Sequence, residues 1–242
     1  MRSARFCSLA LVLLTLPLAL GACVNGVNGS VSVAAGTSTS DASTVNGSVH
    51  VEANAKADKA STVNGSIDLA SGANVGEVST VNGGVDLGDH ATAGSIDAVN
   101  GHIALATGAT VSGNVTAVNG ALRLATGSAV NGKLTNVNGK IDITDAHVGQ
   151  GITTANGDIT IAGNSVVDGG IKVVKPKGNG FFGIRFGSDT IPTVTIGPGA
   201  TVNGPLDFER PVKLYISDQA HVAGPITGAQ AVKFSGSTPP AS

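Results

Sequence analysis

The phrase Val-Asn-Gly returns along most of this chain at an almost fixed interval. One further residue usually separates it from an aliphatic residue, as in Val63-Asn64-Gly65-Ser66-Ile67. The intervals between successive asparagines are 18 residues five times and 19 residues twice. Short β-branched runs broken by Gly and Asn at such a period are typical of a solenoid built from strands and turns. The repeat asparagines, the last of which follows Ala155 instead of a valine, are Asn28, Asn46, Asn64, Asn82, Asn100, Asn119, Asn138 and Asn156.

A shorter period of six residues lies inside each unit, so three sixes make one coil of eighteen. We predict that the aliphatic residues and alanines at this period line the axis of the coil. They include Val63, Leu69, Val75, Val81, Leu87, Ala93, Val99, Leu105 and Val111. Strand alternation also predicts that Ile67 points inward and Asp68 outward. The predicted fold class is all-β, a single-stranded parallel β-helix (β-solenoid) with coils of 18–19 residues. Its handedness stays open, with the right-handed form favoured because nineteen-residue units break a strict six-residue period.

Stacking predicts how the repeated asparagines meet. Successive coils rise by roughly 4.8 Å, which places equivalent side chains directly above one another. Each amide can then donate to one neighbouring coil and accept from the other. We therefore predict an Asn ladder from Asn28 to Asn156, over roughly 34 Å at about 4.8 Å per coil. One coil cannot bury its aliphatic face alone, so stability must come from nearest-neighbour stacking.

The N-terminus predicts export. Arg2 and Arg5 precede the apolar run Leu9–Leu20, which is typical of a secretory signal and too short for a comfortable transmembrane helix. The ending Leu20-Gly21-Ala22-Cys23 resembles the lipobox of bacterial lipoproteins. That resemblance implies cleavage before Cys23, acylation of Cys23 and a membrane partner. Since Val24 is not the Asp that usually signals inner-membrane retention in that family, the expected location is the outer membrane, on its periplasmic side or at the cell surface.

The chain is predicted to divide into six parts. These are a lipoprotein signal peptide (1–22), a lipidated Cys with a tether and an irregular first coil (23–42), regular repeats (43–162), an inserted Gly/aromatic loop or hairpin (163–192), C-terminal coils with a cap (193–235) and a loose tail (236–242). A bulge or a longer corner would absorb the extra residue of the nineteen-residue units. The predicted insertion carries Phe181, Phe182, Arg185 and Phe186, which form either a flap over the solenoid or a partner-contact patch.

Several families share short phrases with this chain. Gly108-Ala109-Thr110-Val111-Ser112-Gly113 and Ile196-Gly197-Pro198-Gly199-Ala200 resemble the coils of polymer-forming bactofilins and of hexapeptide-repeat acyltransferases. The recurrent Asn-Gly turns resemble head-GIN adhesins of bacterial envelopes. The acyltransferase likeness implies a catalytic histidine, but the chain's histidines occupy differing places in the repeat: His50, His90, His102, His147 and His221. The other two likenesses imply polymerisation or adhesion.

Composition narrows the function classes. With six Phe, one Tyr and no Trp, the chain has too few large side chains for an ordinary sandwich or α/β core of this length. Its net charge of −2 and its lack of basic runs argue against nucleic acid as a partner. Cys23 would be the only cysteine after cleavage, so no disulfide is expected. No metal-ligand spacing and no cofactor motif is present.

The predicted function is a non-catalytic, lipid-anchored envelope scaffold or adhesin-like module. Its expected partners are the membrane, an envelope protein or polysaccharide, or further copies joined end to end. The alternatives are a bactofilin-like polymer and a β-helix enzyme that acts on polysaccharide. For the enzyme, the candidates are Asp68 and Asp86, which share one outward column four residues after the repeat asparagine and lie roughly 4.8 Å apart.

Overall fold

The computed structural model describes residues 23–175 and 191–240. Within these ranges the chain is all-β and winds into a parallel solenoid of three faces. Face 1 is a sheet of eleven strands, so the rod has about eleven coils. Its strands are β2 (Val31–Val33), β4 (Val49–Val51), β6 (Ile67–Leu69), β8 (Val85–Leu87), β10 (Ile103–Leu105), β13 (Leu122–Leu124), β16 (Ile141–Thr144), β19 (Ile159–Ala162), β22 (Thr193–Ile196), β25 (Lys213–Ser217) and β28 (Ala231–Phe234).

Faces 2 and 3 form one continuous sheet of seventeen strands. Four long strands run through both faces: β3 (Ser38–Asn46), β5 (Lys56–Asn64), β7 (Asn74–Asn82) and β9 (Thr92–Asn100). Face 2 continues with β11 (Thr110–Val111), β14 (Ala129–Val130), β17 (His147–Val148), β20 (Val166–Val167), β23 (Thr201–Val202) and β26 (His221–Val222). Face 3 begins with β1 (Val24–Asn28) and continues with β12 (Val115–Asn119), β15 (Leu134–Asn138), β18 (Ile152–Asn156), β21 (Ile171–Val173), β24 (Leu206–Phe208) and β27 (Ile226–Thr227).

The two nineteen-residue units each have a longer turn between faces 2 and 3, where two short strands take the place of one long strand. Inward Ala93 and Ile96 are three positions apart in β9, whereas the equivalent Val111 and Val115 are four apart. The extra residue lies in the turn between β11 and β12. Of the two predicted ways to absorb it, the longer corner is the one that the structure uses.

The core is a thin stack of aliphatic side chains along the axis. Face 1 contributes two per coil, such as Ile67 with Leu69 and Ile103 with Leu105, while Asp68 and Ala104 between them point outward. This alternation confirms the prediction for face 1. The later six-residue positions, Ile196, Val202, Phe208 and Leu214, are also buried.

The six-residue period fails on face 3. Val63, Val81 and Val99 were predicted to line the axis, but each exposes 40% of its surface. Each lies one residue after an inward Thr or Ala, such as buried Thr62, so strand alternation turns the valine outward before the corner. The prediction was therefore wrong for these three residues, and the interior of this part of face 3 holds Ala60 and Thr62 instead.

Two predicted boundaries also differ from the structure. The range 23–42, predicted as a tether with an irregular first coil, contains β1, β2 and the start of β3, and β1 begins at Val24. The predicted insertion from 163 contains β20 and β21, whose residues pair in register with later coils. Across β21 and β24 the paired residues are 35 apart instead of 18 or 19, as for Lys172 and Asp207. The extra length falls after Val173, so residues 163–173 belong to the solenoid.

Candidate functional site

The predicted asparagines lie in one column at the corner between faces 3 and 1. Each Nδ2 from Asn46 onward donates to Oδ1 of the asparagine in the preceding coil, over 2.8 to 3.0 Å. Seven bonds therefore join eight coils. Arg210 Nη1 donates to Asn156 Oδ1 and, over 3.0 Å, to the carbonyl of Ala155, so a guanidinium caps the last amide of the column.

The inner side of the same corner carries a second set of hydrogen bonds. Buried Thr44, Thr62 and Thr80 donate from Oγ1 to carbonyls of Gly29, Gly47 and Gly65 over 2.8 to 3.2 Å. These bonds and the Asn ladder hold the corner from both sides. The ladder is thus a structural column, since its amides satisfy one another rather than a ligand.

An outward row of valines runs beside the ladder on face 3, one residue before each of the first seven asparagines. We call it the valine row, and it consists of Val27, Val45, Val63, Val81, Val99, Val118 and Val137. Six of these valines expose 38% to 68% of their surface. The row spans roughly 29 Å at about 4.8 Å per coil. Sequence reasoning missed this surface, although the repeated Val before each Asn was the available signal.

Face 1 carries an open groove of about 570 Å³ along its outer surface. The column predicted to bear the candidate carboxylates lies on it, and its lining includes His50, Asp68, Asp86, Ala104 and Arg123. Asp68 and Asp86 are in register on neighbouring strands. The structure therefore brings the two predicted carboxylates together in the groove.

Each of the two carboxylates has a histidine partner. His50 Nδ1 lies 3.0 Å from Asp68 Oδ2, and His102 Nε2 lies 3.0 Å from Asp86 Oδ1. The ring of His102 reaches Asp86 by lying over Gly84, where a Cβ would come within 2.3 Å of the ring. All four side chains are 41% to 55% exposed, so water screens these pairs. The polysaccharide-active alternative stays a prediction.

Ionic contacts also join the coils on either side of residues 176–190. Lys172 Nζ lies 2.8 Å from Asp207 Oδ2 and 2.7 Å from Glu209 Oε1. Hydrogen bonds from Lys172 lower the pKa of both carboxyls and raise the pKa of the lysine. On face 2, hydrogen bonds from His147 and then Asn203 lower the pKa of Asp168. These contacts stabilise the coils when the carboxylates are ionised, and acid removes that contribution.

The remaining predicted residues are placed as follows. Cys23 is exposed, and its Sγ lies 3.3 Å from Ser40 Oγ. The predicted patch of Phe181, Phe182, Arg185 and Phe186 lies outside the described residues. Within residues 23–175 and 191–240, His, Cys, Asp and Glu form no group of three placed to hold a metal ion. The same ranges contain no helix of the length and apolarity needed to span a bilayer.

Comparison with known proteins adds no relative to this description. The chain matches no family model, no curated protein and no solved structure.

Proposed function

We propose that this protein is a non-catalytic, lipid-anchored β-solenoid of the bacterial cell envelope that acts as a scaffold or adhesin-like module. The observation that carries the proposal is the position of Cys23. It follows the lipobox-like Leu20-Gly21-Ala22, it is exposed with a free thiol, and the solenoid begins at the next residue. Acyl groups on this sulphur would project from the fold and would not displace any buried side chain. Several acyl chains make a stable bilayer attachment.

The regular outer faces support the scaffold or adhesin-like role. Identical side chains recur at about 4.8 Å intervals along the rod, so a partner with its own repeat can contact many coils at once. The valine row is the apolar part of this surface, and Ser61, Ser79 and Thr116 beside it supply hydroxyls. An envelope protein or polysaccharide fits such a surface. Joining of rods through their ends is the bactofilin-like alternative.

Replacement of the anchor residue tests the proposal. We expect Cys23→Ser to reduce the membrane-bound fraction by about tenfold or more, because the chain then has no acyl chains to insert. The measurement is the share of protein in washed membranes, together with the mass of the N-terminal peptide. Cys7→Ser is the matched control, since the only other cysteine lies in the predicted signal peptide. A wild-type peptide without acyl mass, or a Cys23→Ser protein that stays in the membranes, would contradict the anchor.

A further inference from the structure

The first coil of the rod, residues 23–40, has an unusual composition. It contains no Asp, Glu, Lys, Arg or His, and its only ionisable side chain is that of Cys23. The first charged residue after Cys23 is Asp41, at the start of the second coil, which also carries His50, Glu52 and Lys56. We call residues 23–40 the terminal coil. An uncharged coil gives up little hydration free energy when a surface covers it, whereas a charged coil gives up much more.

The terminal coil is also an open end of the solenoid. In the described part of the chain, β1 and β2 each have a neighbouring strand on one side only, namely β3 and β4. Val27 in β1 is 68% exposed, which is more than any other valine in the valine row. The opposite end differs in charge, because its coil carries Asp218, His221 and Lys233. The two ends of the rod therefore present different surfaces.

The anchor is attached to this uncharged end without slack. Val24, the residue after Cys23, is already paired with Ala42 in the β1–β3 ladder. Acyl chains on Cys23 would therefore leave directly from the terminal coil and hold it at the depth of the lipid headgroups. A long flexible tether would allow any orientation, but a paired strand that begins one residue after the anchor restricts it.

We propose that the terminal coil is seated on the bilayer and that the rod stands upright on it, which rests on the proposed lipid anchor. Val27 and the other uncharged side chains of β1 and β2 contact the lipid headgroup region. The charged second coil begins just above this contact. About eleven coils at about 4.8 Å each would carry the far end roughly 50 Å from the membrane surface. The groove of face 1 and the valine row would then both run away from the bilayer and stay accessible.

The valine row supplies exposed labelling positions at regular distances along the rod, which can test this orientation. Single cysteines replace Val27, Val63, Val99 or Val137 in the full chain, so that the acylated protein, cleaved before Cys23, has one free thiol. Each protein is matured in cells, purified in acylated form, labelled with a small fluorophore and placed in phosphatidylcholine vesicles that contain nitroxide-labelled lipid. Val232→Cys, on face 1 of the last coil, serves as the control that stays away from lipid in a rod that stands upright or lies on face 3.

The upright arrangement predicts quenching that is several-fold stronger at position 27 than at position 99, which lies about 19 Å further along the rod. Quenching at position 137 should equal that of the Val232→Cys control. Equal quenching along the whole row would mean that the rod lies on face 3 and would overturn the proposal. Absent quenching at position 27 in acylated protein would also overturn it. The acyl mass is measured separately, so failure of the anchor is distinguished from failure of the orientation.

Discussion

We expect Gly83→Ala to lower the free energy of unfolding by more than about 3 kcal/mol, because the new methyl group would overlap the backbone of the preceding coil. A Cβ at this position would lie 1.9 Å from the carbonyl oxygen of Gly65. That oxygen belongs to the stacked corner, where Gly83 N donates to Asn100 O over 2.9 Å. The clash is with backbone rather than with a flexible side chain, so the two coils must separate. Urea unfolding of the form lacking residues 1–23 measures the effect.

Gly26→Ala is the matched control for this substitution. A Cβ on Gly26 would meet its nearest atom, Thr44 Oγ1, at an ordinary contact distance of 3.4 Å. We therefore expect a change within about 0.5 kcal/mol for the control. Equal unfolding midpoints for Gly83→Ala and the parent protein would contradict the close stacking of the glycine corners.

A cavity in the middle of the rod should have the second largest effect. Ile103 is fully buried in β10 between the strands of two neighbouring coils. We expect Ile103→Ala to destabilise the protein by about 2 to 5 kcal/mol, since it removes buried apolar atoms and leaves a void. The same urea unfolding experiment measures this loss.

The same substitution in the last coil should cost much less. Ile226 faces the interior column but exposes 38% of its surface, because its strand β27 lies at the C-terminal end of face 3. We expect Ile226→Ala to change the free energy of unfolding by less than about 1 kcal/mol. Similar losses for the two variants would contradict a core in which each coil is supported by its neighbours.

The solenoid and its Asn ladder could both be predicted from the repeat, because a fixed interval indicates stacked coils and also places equivalent residues above one another. A fixed interval places Asn64 over Asn46 whatever the rest of the coil does, and an amide side chain can both donate to one neighbour and accept from the other. The direction of Asp68 and Asp86 followed from strand alternation in the same way. The same register places His50 beside Asp68. The pairing of Asp86 with His102 could not be predicted, since His102 approaches from outside this column, across Gly84.

The valine row escaped prediction because one period was applied to all three faces. Val63 fits the six-residue period as well as Leu69 does, but β5 runs through a corner and alternation there puts Thr62 inside. A polar residue in the interior is acceptable at this place because its hydroxyl reaches a carbonyl, at 2.8 Å from Gly47 O. Hydropathy alone ranks Val above Thr for burial, so it predicts Val63 inside and Thr62 outside, which is the reverse of the observed arrangement.

The start of the insertion was misplaced for a related reason. The regular series of repeat asparagines ends at Asn156, and the aromatic residues after 180 suggested that the whole range from 163 leaves the solenoid. Val167, Ile171 and Val173 nevertheless repeat the inward positions of Val148, Ile152 and Thr154. The coil after Asn156 keeps the same winding without a ladder asparagine, because its buried aliphatic residues stack on those of the preceding coil. Arg210 donates to Asn156, the last asparagine of the ladder.

Distances between spin labels on the valine row test stacking most directly. Pairs of cysteines replace Val27 with Val99, and Val27 with Val137, in the form lacking residues 1–23. Four and six coil steps predict separations of about 19 Å and about 29 Å between the labelled backbone positions, each with a narrow distribution. Separations that do not grow with the number of repeats between the labels would contradict a rod of stacked coils.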